Sequence, residues 1–286
     1  MLTYLRRERS AEAQKIAPFT GEGAYHGSTK VRSVPASEMA DAPVPEMEPL
    51  SIDKYGARED RAIESFTALF PGRHEVLAAL PVPSQEAIVA DAVTFCWCPI
   101  EEAIREAGPV TRGVLEEMTR RLSGRKRYVY IDSKIQYFSR GDVPVDSQHW
   151  HVDGSIVVRD QRARDLGHAL LHDMRARLEG PAEPPLYLSY QSSEHCATRF
   201  VAAPVSLRLP ELIPNFDELD RLVRALDPPS VAQPPAALVR FDGLSLHRAV
   251  AASGEGWRLW IRCVETDRRV ELSASIIECY GTVYRS

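Results

Sequence analysis

Long apolar runs are missing from this sequence. No stretch approaches the ~18 to 20 continuous apolar residues of a membrane span, so no membrane contact is expected. The first residues, Met1-Leu-Thr-Tyr-Leu-Arg-Arg-Glu-Arg9, carry no apolar core of the kind a secretory signal needs. Cysteine is scarce and odd in number: Cys96, Cys98, Cys196, Cys263 and Cys279. Without a signal, these five read as reduced thiols of a cytoplasmic protein, packed as small hydrophobes. Cys96 and Cys98 are separated by one residue, which fits neither a redox pair nor a zinc knuckle. An excess of positive charge is also absent. With 35 basic and 40 acidic side chains the net charge is −5, which argues against non-specific nucleic-acid binding and leaves local basic patches open. There is no Gly-x-Gly-x-x-Gly and no phosphate-binding loop, so a nucleotide-cofactor fold is not expected. Nor is there a Gly-x-Ser-x-Gly elbow, so Ser245 beside His247 does not make a hydrolase.

What is present suits a globular protein. The chain has 286 residues, 44% hydrophobic and 26% charged, enough for a sizeable core. Residues 1–55 hold Gly21, Gly23 and Gly27, then Pro35, Pro43, Pro45 and Pro49 among acidic residues; this composition predicts an extended arm or lid. Residues 56–286 are expected to form a single domain. The spacing of Ile63, Phe66 and Leu69 predicts a helix over 57–69. Ser84 is a plausible N-cap for a second, running through Phe95, with Pro99 breaking or restarting it. A third is expected over 110–122, closed by Ser123-Gly124.

From Arg127 the texture changes to β-branched and aromatic runs. Strands are predicted over 128–132, 135–138, 149–158, 186–191, 199–209, 237–241, 257–264 and 270–280. Helices are expected to interrupt them over 161–178 and from Asn215 or Asp217 to Leu226. Helices first and many strands after them predict a mostly β protein with a helical buttress (α+β), a barrel or a sandwich.

The strongest local signal is Gln148-His-Trp-His-Val-Asp-Gly154. In a strand, side chains at i and i+2 share a face, so His151 and Asp153 project together. Two ligands do not make a tight metal site, and His247 is the candidate third. Two histidines and a carboxylate on one face of a metal leave three positions open, the facial arrangement of non-haem Fe(II) oxygenases. Such an ion can take a bidentate co-substrate and then O2. A His-x-Asp triplet alone is common by chance, and the ordered set gives it weight. Arg258 follows His247 by eleven residues, in Trp257-Arg-Leu-Trp-Ile-Arg262. An arginine in a buried strand needs an anion, and the far carboxylate of 2-oxoglutarate is one.

The order His151-Val-Asp153, His247, Arg258 resembles the Fe(II)/2-oxoglutarate-dependent dioxygenases, which share a double-stranded β-helix (jelly-roll) core. Ile135-Gln-Tyr-Phe-Ser-Arg-Gly-Asp142 is similar to that family's strand and Gly turn before the first ligands. Leu246-His-Arg-Ala-Val250, with the Trp257–Arg262 run, is similar to the distal His and Arg region of the phytanoyl-CoA-hydroxylase-like and taurine-dioxygenase-like branches. Thr198-Arg-Phe200 resembles the Thr-x-Phe strand that, in the latter branch, helps bind the 2-oxoglutarate carboxylate. The resemblance covers roughly residues 128 to 265.

It implies iron ligands His151, Asp153 and His247, and a 2-oxoglutarate anchor at Arg258 or Arg262, which share a strand face. Arg258 is preferred for its spacing from His247, with Thr198 assisting. The implied activity is hydroxylation of a small polar or anionic substrate with release of succinate and CO2, using Fe(II), 2-oxoglutarate and O2. Residues 1–55 and 161–178 are candidate lids. The rival readings are a jelly-roll binding protein without oxygenase activity, or another metal enzyme using these ligands with Zn or Mn.

Other features read more plainly. His149 shares the His151 face and is expected at a solvent edge or in a hydrogen bond, while Trp150 points into the core. His168 and His172, four apart on the predicted helix, could hold zinc but lack a third ligand, so a polar helix face is preferred. Arg120, Arg121, Arg125, Lys126 and Arg127 suit a helix C-terminus, with a phosphate or nucleic-acid contact as the alternative.

Overall fold

The computed structural model describes residues 63–144, 148–154, 156–158, 163–164, 166–168 and 171–269, and the backbone of two short strands at 30–31 and 284–285. The remainder of the expected arm, and the strand expected over 270–280, lie outside the described residues.

The helices are α1 (Gln85–Asp91), α2 (Ile100–Glu106), α3 (Pro109–Arg120), α4 (Met174–Glu179) and α5 (Asp217–Leu226). The strands that carry the architecture are β1 (Ser65–Phe70), β2 (His74–Ala79), β3 (Cys98–Pro99), β4 (Tyr128–Phe138), β5 (Leu186–Gln191), β6 (Arg199–Val201), β7 (Val205–Pro210), β8 (Ser230–Ala232), β9 (Ala237–Asp242), β10 (His247–Arg248) and β11 (Gly256–Thr266).

The larger sheet runs β2-β9-β5-β11-β4-β3, antiparallel throughout. Alternation along its strands divides the side chains. Leu259, Ile261 and Cys263 of β11 join Ile131, Ile135, Leu188 and Leu238 on one face, where Ile88, Ala103, Leu115 and Met118 of the first three helices cover them. These helices have clear local causes. Ser84 Oγ accepts the Ala87 amide at 3.2 Å, and Ala92 ends α1 in the left-handed region with φ 54°. Asp91 then caps α3 from a distance, accepting the amides of Val110 at 3.0 Å and Thr111 at 2.5 Å.

The smaller sheet runs β8-β6-β10 and is extended by an antiparallel bridge from His247 to His151. Behind it lie Phe66, Phe70, Leu209, Leu219 and Val223 of β1, β7 and α5, with Trp150, Val201 and Leu246. Between the two sheets Phe200 of β6 packs with Tyr187, Val239, Phe241 and Val264 of the larger one. The same inner layer holds buried polar groups on β4, β5 and β11, namely Asp132, Gln136, Ser189, Gln191 and Arg258. The protein is therefore mostly antiparallel β with a helical layer on the larger sheet. The chain shuttles between the sheets: β4, then His151, then β5, then β6 and β8, then β9, β10 and β11.

Several local expectations are corrected. The helix expected over 57–69 is, where described, strand β1. Phe66, Ala68 and Phe70 are buried while Ser65, Thr67 and Leu69 are exposed, a period of two set by pairing with β7. The helix expected over 161–178 is interrupted, with Ala163 and Arg164 helical at one end and α4 at the other. Leu171–Asp173 is a strand between Ile156–Val158 and Leu212–Ile213, and α4 starts only at Met174, capped by Asp173, which accepts the Ala176 amide at 2.8 Å. His168 and His172 therefore share no helix face, and the zinc pair loses its basis. The second helix stops at Asp91 and a new one begins after Pro99. The strand expected over 199–209 divides into β6 and β7 in different sheets, and the runs over 128–132 and 135–138 are one strand, β4. In the basic run, Arg120 and Arg121 pair with Glu117, and Lys126 with Asp267 and Glu183. Among the described residues no helix is long and apolar enough to cross a membrane.

Candidate metal centre

The approaches to the two histidines are fixed by local hydrogen bonds. In the turn after β9, Asp242 Oδ1 accepts the Leu244 amide at 2.9 Å and the Ser245 hydroxyl at 3.0 Å, which aims the chain into β10. Ahead of His151, the Trp150 amide donates to Asp220 of α5 at 2.8 Å. His151 and His247 then exchange amide-to-carbonyl hydrogen bonds of 3.0 Å each. The strand expected over 149–158 is reduced to the bridge at His151 and a short strand at Ile156–Val158, so Asp153, two residues beyond His151, lies in a bend where Gly154 adopts φ +67°; a Cβ there would meet Pro185 at 2.8 Å.

This brings together the three residues expected as ligands. One ligand atom from each of His151, Asp153 and His247 lies within 4.8 Å of the others. His247 Nε2 is 3.6 Å from Asp153 Oδ2, and the imidazole centroids are 4.4 Å apart. His151 Nδ1 contacts the His149 carbonyl at 2.8 Å, and His247 Nδ1 the Ser245 carbonyl at 2.9 Å. A carbonyl only accepts, so each Nδ1 carries a proton, and Nε2 is the nitrogen left for a metal. Burial, reinforced by the neighbouring His247, pushes the His151 pKa down to about 4, so that imidazole is neutral at neutral pH. Burial alone would raise the Asp153 carboxyl, but the Arg262 guanidinium beside it holds it well below the usual carboxylate range. Two imidazoles with their Nδ1–H groups tied to carbonyls and one firmly ionised carboxylate are a donor set suited to a divalent transition metal.

The two candidate anchors diverge. Arg262 Nη1 donates to Asp153 Oδ2 at 2.9 Å and Nη2 to Asp132 Oδ2 at 2.9 Å. Arg258 is 4% exposed and has no carboxylate partner among the described residues; Nη2 reaches only Gln191 Oε1 at 3.5 Å. Its guanidinium carbon lies 5.8 Å from the Phe138 ring centre. Thr198 meets the same Gln191 Oε1 through its backbone amide, at 3.2 Å. His149 turns away from the ligands and pairs at the surface with Asp217, 2.9 Å from Nδ1. Trp150 is buried.

Two neighbours of the site, Asp132 and Arg177, were not singled out from the sequence, and a third, His172, was read only as half of a zinc pair. Asp132 is fully buried and opposite Arg262 across β4 and β11; an acid inside the apolar run Tyr128-Val-Tyr-Ile-Asp132 was the available signal. Arg177 of α4 donates to the Asp153 carbonyl at 3.2 Å, and a Cβ on Gly243 would collide with its guanidinium. Nothing local marked it, because its segment read as a helix face. His172 is buried, and neither ring nitrogen is hydrogen-bonded among the described residues; its ring lies 4.9 Å from Phe216, itself 6.0 Å from His151. The chain matches no protein-family model and no curated protein sequence.

Proposed function

We propose that this protein is a non-haem Fe(II)- and 2-oxoglutarate-dependent dioxygenase with a double-stranded β-helix core, hydroxylating a small polar or anionic molecule. The observation that carries this reading is one inner layer holding both the His151, Asp153 and His247 cluster and the buried, carboxylate-free Arg258. The alternation of successive strands between two antiparallel sheets supports a jelly roll.

Bound Fe(II), with 2-oxoglutarate and O2, would supply the oxidising chemistry, with succinate and CO2 as co-products. The residues of the chain would bind and orient. His151 and His247 would offer their Nε2 atoms, with the rings held by their Nδ1–H bonds. Asp153 offsets part of the ion's charge. Arg258, desolvated and short of an anion, would take the far carboxylate of 2-oxoglutarate, with Gln191 orienting its fork. Phe200 and Phe241, 5.7 and 5.2 Å from the His247 ring, form an apolar wall that limits water.

The test is anaerobic addition of Fe(II) and 2-oxoglutarate, followed by visible absorption. A weak charge-transfer band is expected, absent in His151→Ala, together with succinate formation once air and a substrate are supplied. No band and no 2-oxoglutarate binding would defeat this reading. Metal binding without 2-oxoglutarate binding would favour a different metal enzyme on the same ligands.

A further inference from the structure

Arg262 is enclosed more completely than its place beside a ligand requires. It faces Asp132 directly in the β4–β11 register, and its guanidinium bridges Asp132 and Asp153 with two bonds of 2.9 Å. Asp132 is itself fixed, since its other oxygen accepts the Trp97 amide at 2.8 Å. Trp260, Tyr187 and Trp97 surround the guanidinium carbon at 5.6, 5.8 and 5.9 Å. A planar fork, pinned at one end by a buried acid and walled by three aromatic rings, has little freedom left.

Asp153 is the least constrained of the three ligands. His151 and His247 are locked to each other through the backbone, whereas Asp153 lies beyond the bridge, at a turn. Arg177 holds its backbone carbonyl, and among the described residues Arg262 alone donates a hydrogen bond to its side chain.

We infer that Arg262, held by Asp132, is a positioning residue that presents the Asp153 carboxylate to the metal, and that it is committed to this task instead of to anchoring a co-substrate. This rests on the metal reading above. A bridging guanidinium also divides its charge between two acids, so Asp153 keeps more donor strength than in an exclusive ion pair. Asp132 thus tunes the ligand through Arg262. A lysine cannot replace it, because one ammonium on a flexible stem does not hold two carboxylates at fixed angles.

Cobalt(II) titration of the full chain tests this without turnover, read by affinity and by the visible d–d spectrum. The wild type should bind one ion with a defined spectrum; if it binds none, this inference and the proposed function fall together. The double variant Asp132→Asn/Arg262→Gln removes both buried charges at similar volume. It should melt cooperatively yet bind cobalt about 10- to 100-fold more weakly, with a shifted spectrum. Arg262→Lys, which keeps a cation between the acids, should not restore wild-type affinity. If either variant binds cobalt with wild-type affinity and spectrum, the inference is overturned while the proposed function stands. Should the double variant not fold, Arg262→Lys carries the test alone.

Discussion

His151 and His247 form a hydrogen-bonded antiparallel pair, each amide donating to the other's carbonyl at 3.0 Å, with ring centroids 4.4 Å apart. Residues 96 positions apart in the chain thereby become the closest rings of the site. Backbone hydrogen bonds hold them together, so removing one side chain should not remove the pairing. His247→Ala is expected to abolish Fe(II) or Co(II) binding while the metal-free protein keeps its strand signature by circular dichroism. Retained metal binding would remove His247 from the ligand set.

Arg258 makes a separable prediction. A buried cation without a carboxylate partner costs stability, and an apolar side chain of similar length relieves the cost. Arg258→Met should leave metal affinity intact and raise unfolding free energy by about 1–3 kcal/mol in denaturant titration. The same variant should lose 2-oxoglutarate binding in anaerobic calorimetry with Fe(II) present. Unchanged 2-oxoglutarate affinity would move the anchor elsewhere.

His172 predicts a pH dependence. Burial pushes its pKa down to about 4, below the value near 6.5 of an unfolded imidazole. Between those values the unfolded chain binds the extra proton. Its contribution is therefore complete above about pH 6.5 and is lost as pH falls toward 4, by roughly 3 kcal/mol across that window. His172→Phe should flatten the slope of stability against pH there. It also deletes two unpaired buried nitrogens, so it should be neutral or stabilising at pH 7. An unchanged acid slope would show that His172 is not the titrating group.

Asp91 links two helices and should matter for the fold but not the site. Its carboxylate supplies the amides that open α3, where Gly108 and Pro109 offer no side-chain cap. Asp91→Ala should cost about 1–3 kcal/mol in thermal or urea unfolding. Metal affinity should not move, since Asp91 lies under the helical layer. A variant of wild-type stability would mean that water replaces the cap without loss.

Much of the fold was legible where local pattern and tertiary environment agree. β4, β5, β9 and β11 are rich in aliphatic and aromatic residues, and a sheet that is buried on both faces favours that composition. Helices α1 and α3 announced themselves through Ser84 and the run to Arg120. The failures came where the partner decides. Ile63, Phe66 and Leu69 have helical spacing, but β7 lies beside that segment, so Phe66, Ala68 and Phe70 are the residues buried. His168 and His172 shared a helix face only in an isolated reading, and the strand at Leu171–Asp173 exists because two other strands flank it.

The candidate site divides in the same way. Linear order alone determined which chemistry-bearing residues follow one another: His151 and Asp153 two apart, a later His247, and two arginines on one face of the strand after it. The convergence of the first three needed the fold, because His151 makes only an isolated bridge and Asp153 lies in a bend, where no local strand repeat sets its direction. Which arginine pairs with an acid was decided only in three dimensions. Arg258 and Arg262 share a strand face, and spacing from His247 favoured Arg258 as the anchor; in the fold Asp132 stands across from Arg262 and Asp153 accepts from it, whereas Arg258 meets Gln191 and Phe138. Charge pairing depends on what the neighbouring strand brings opposite, and cross-strand register is a property of the folded chain.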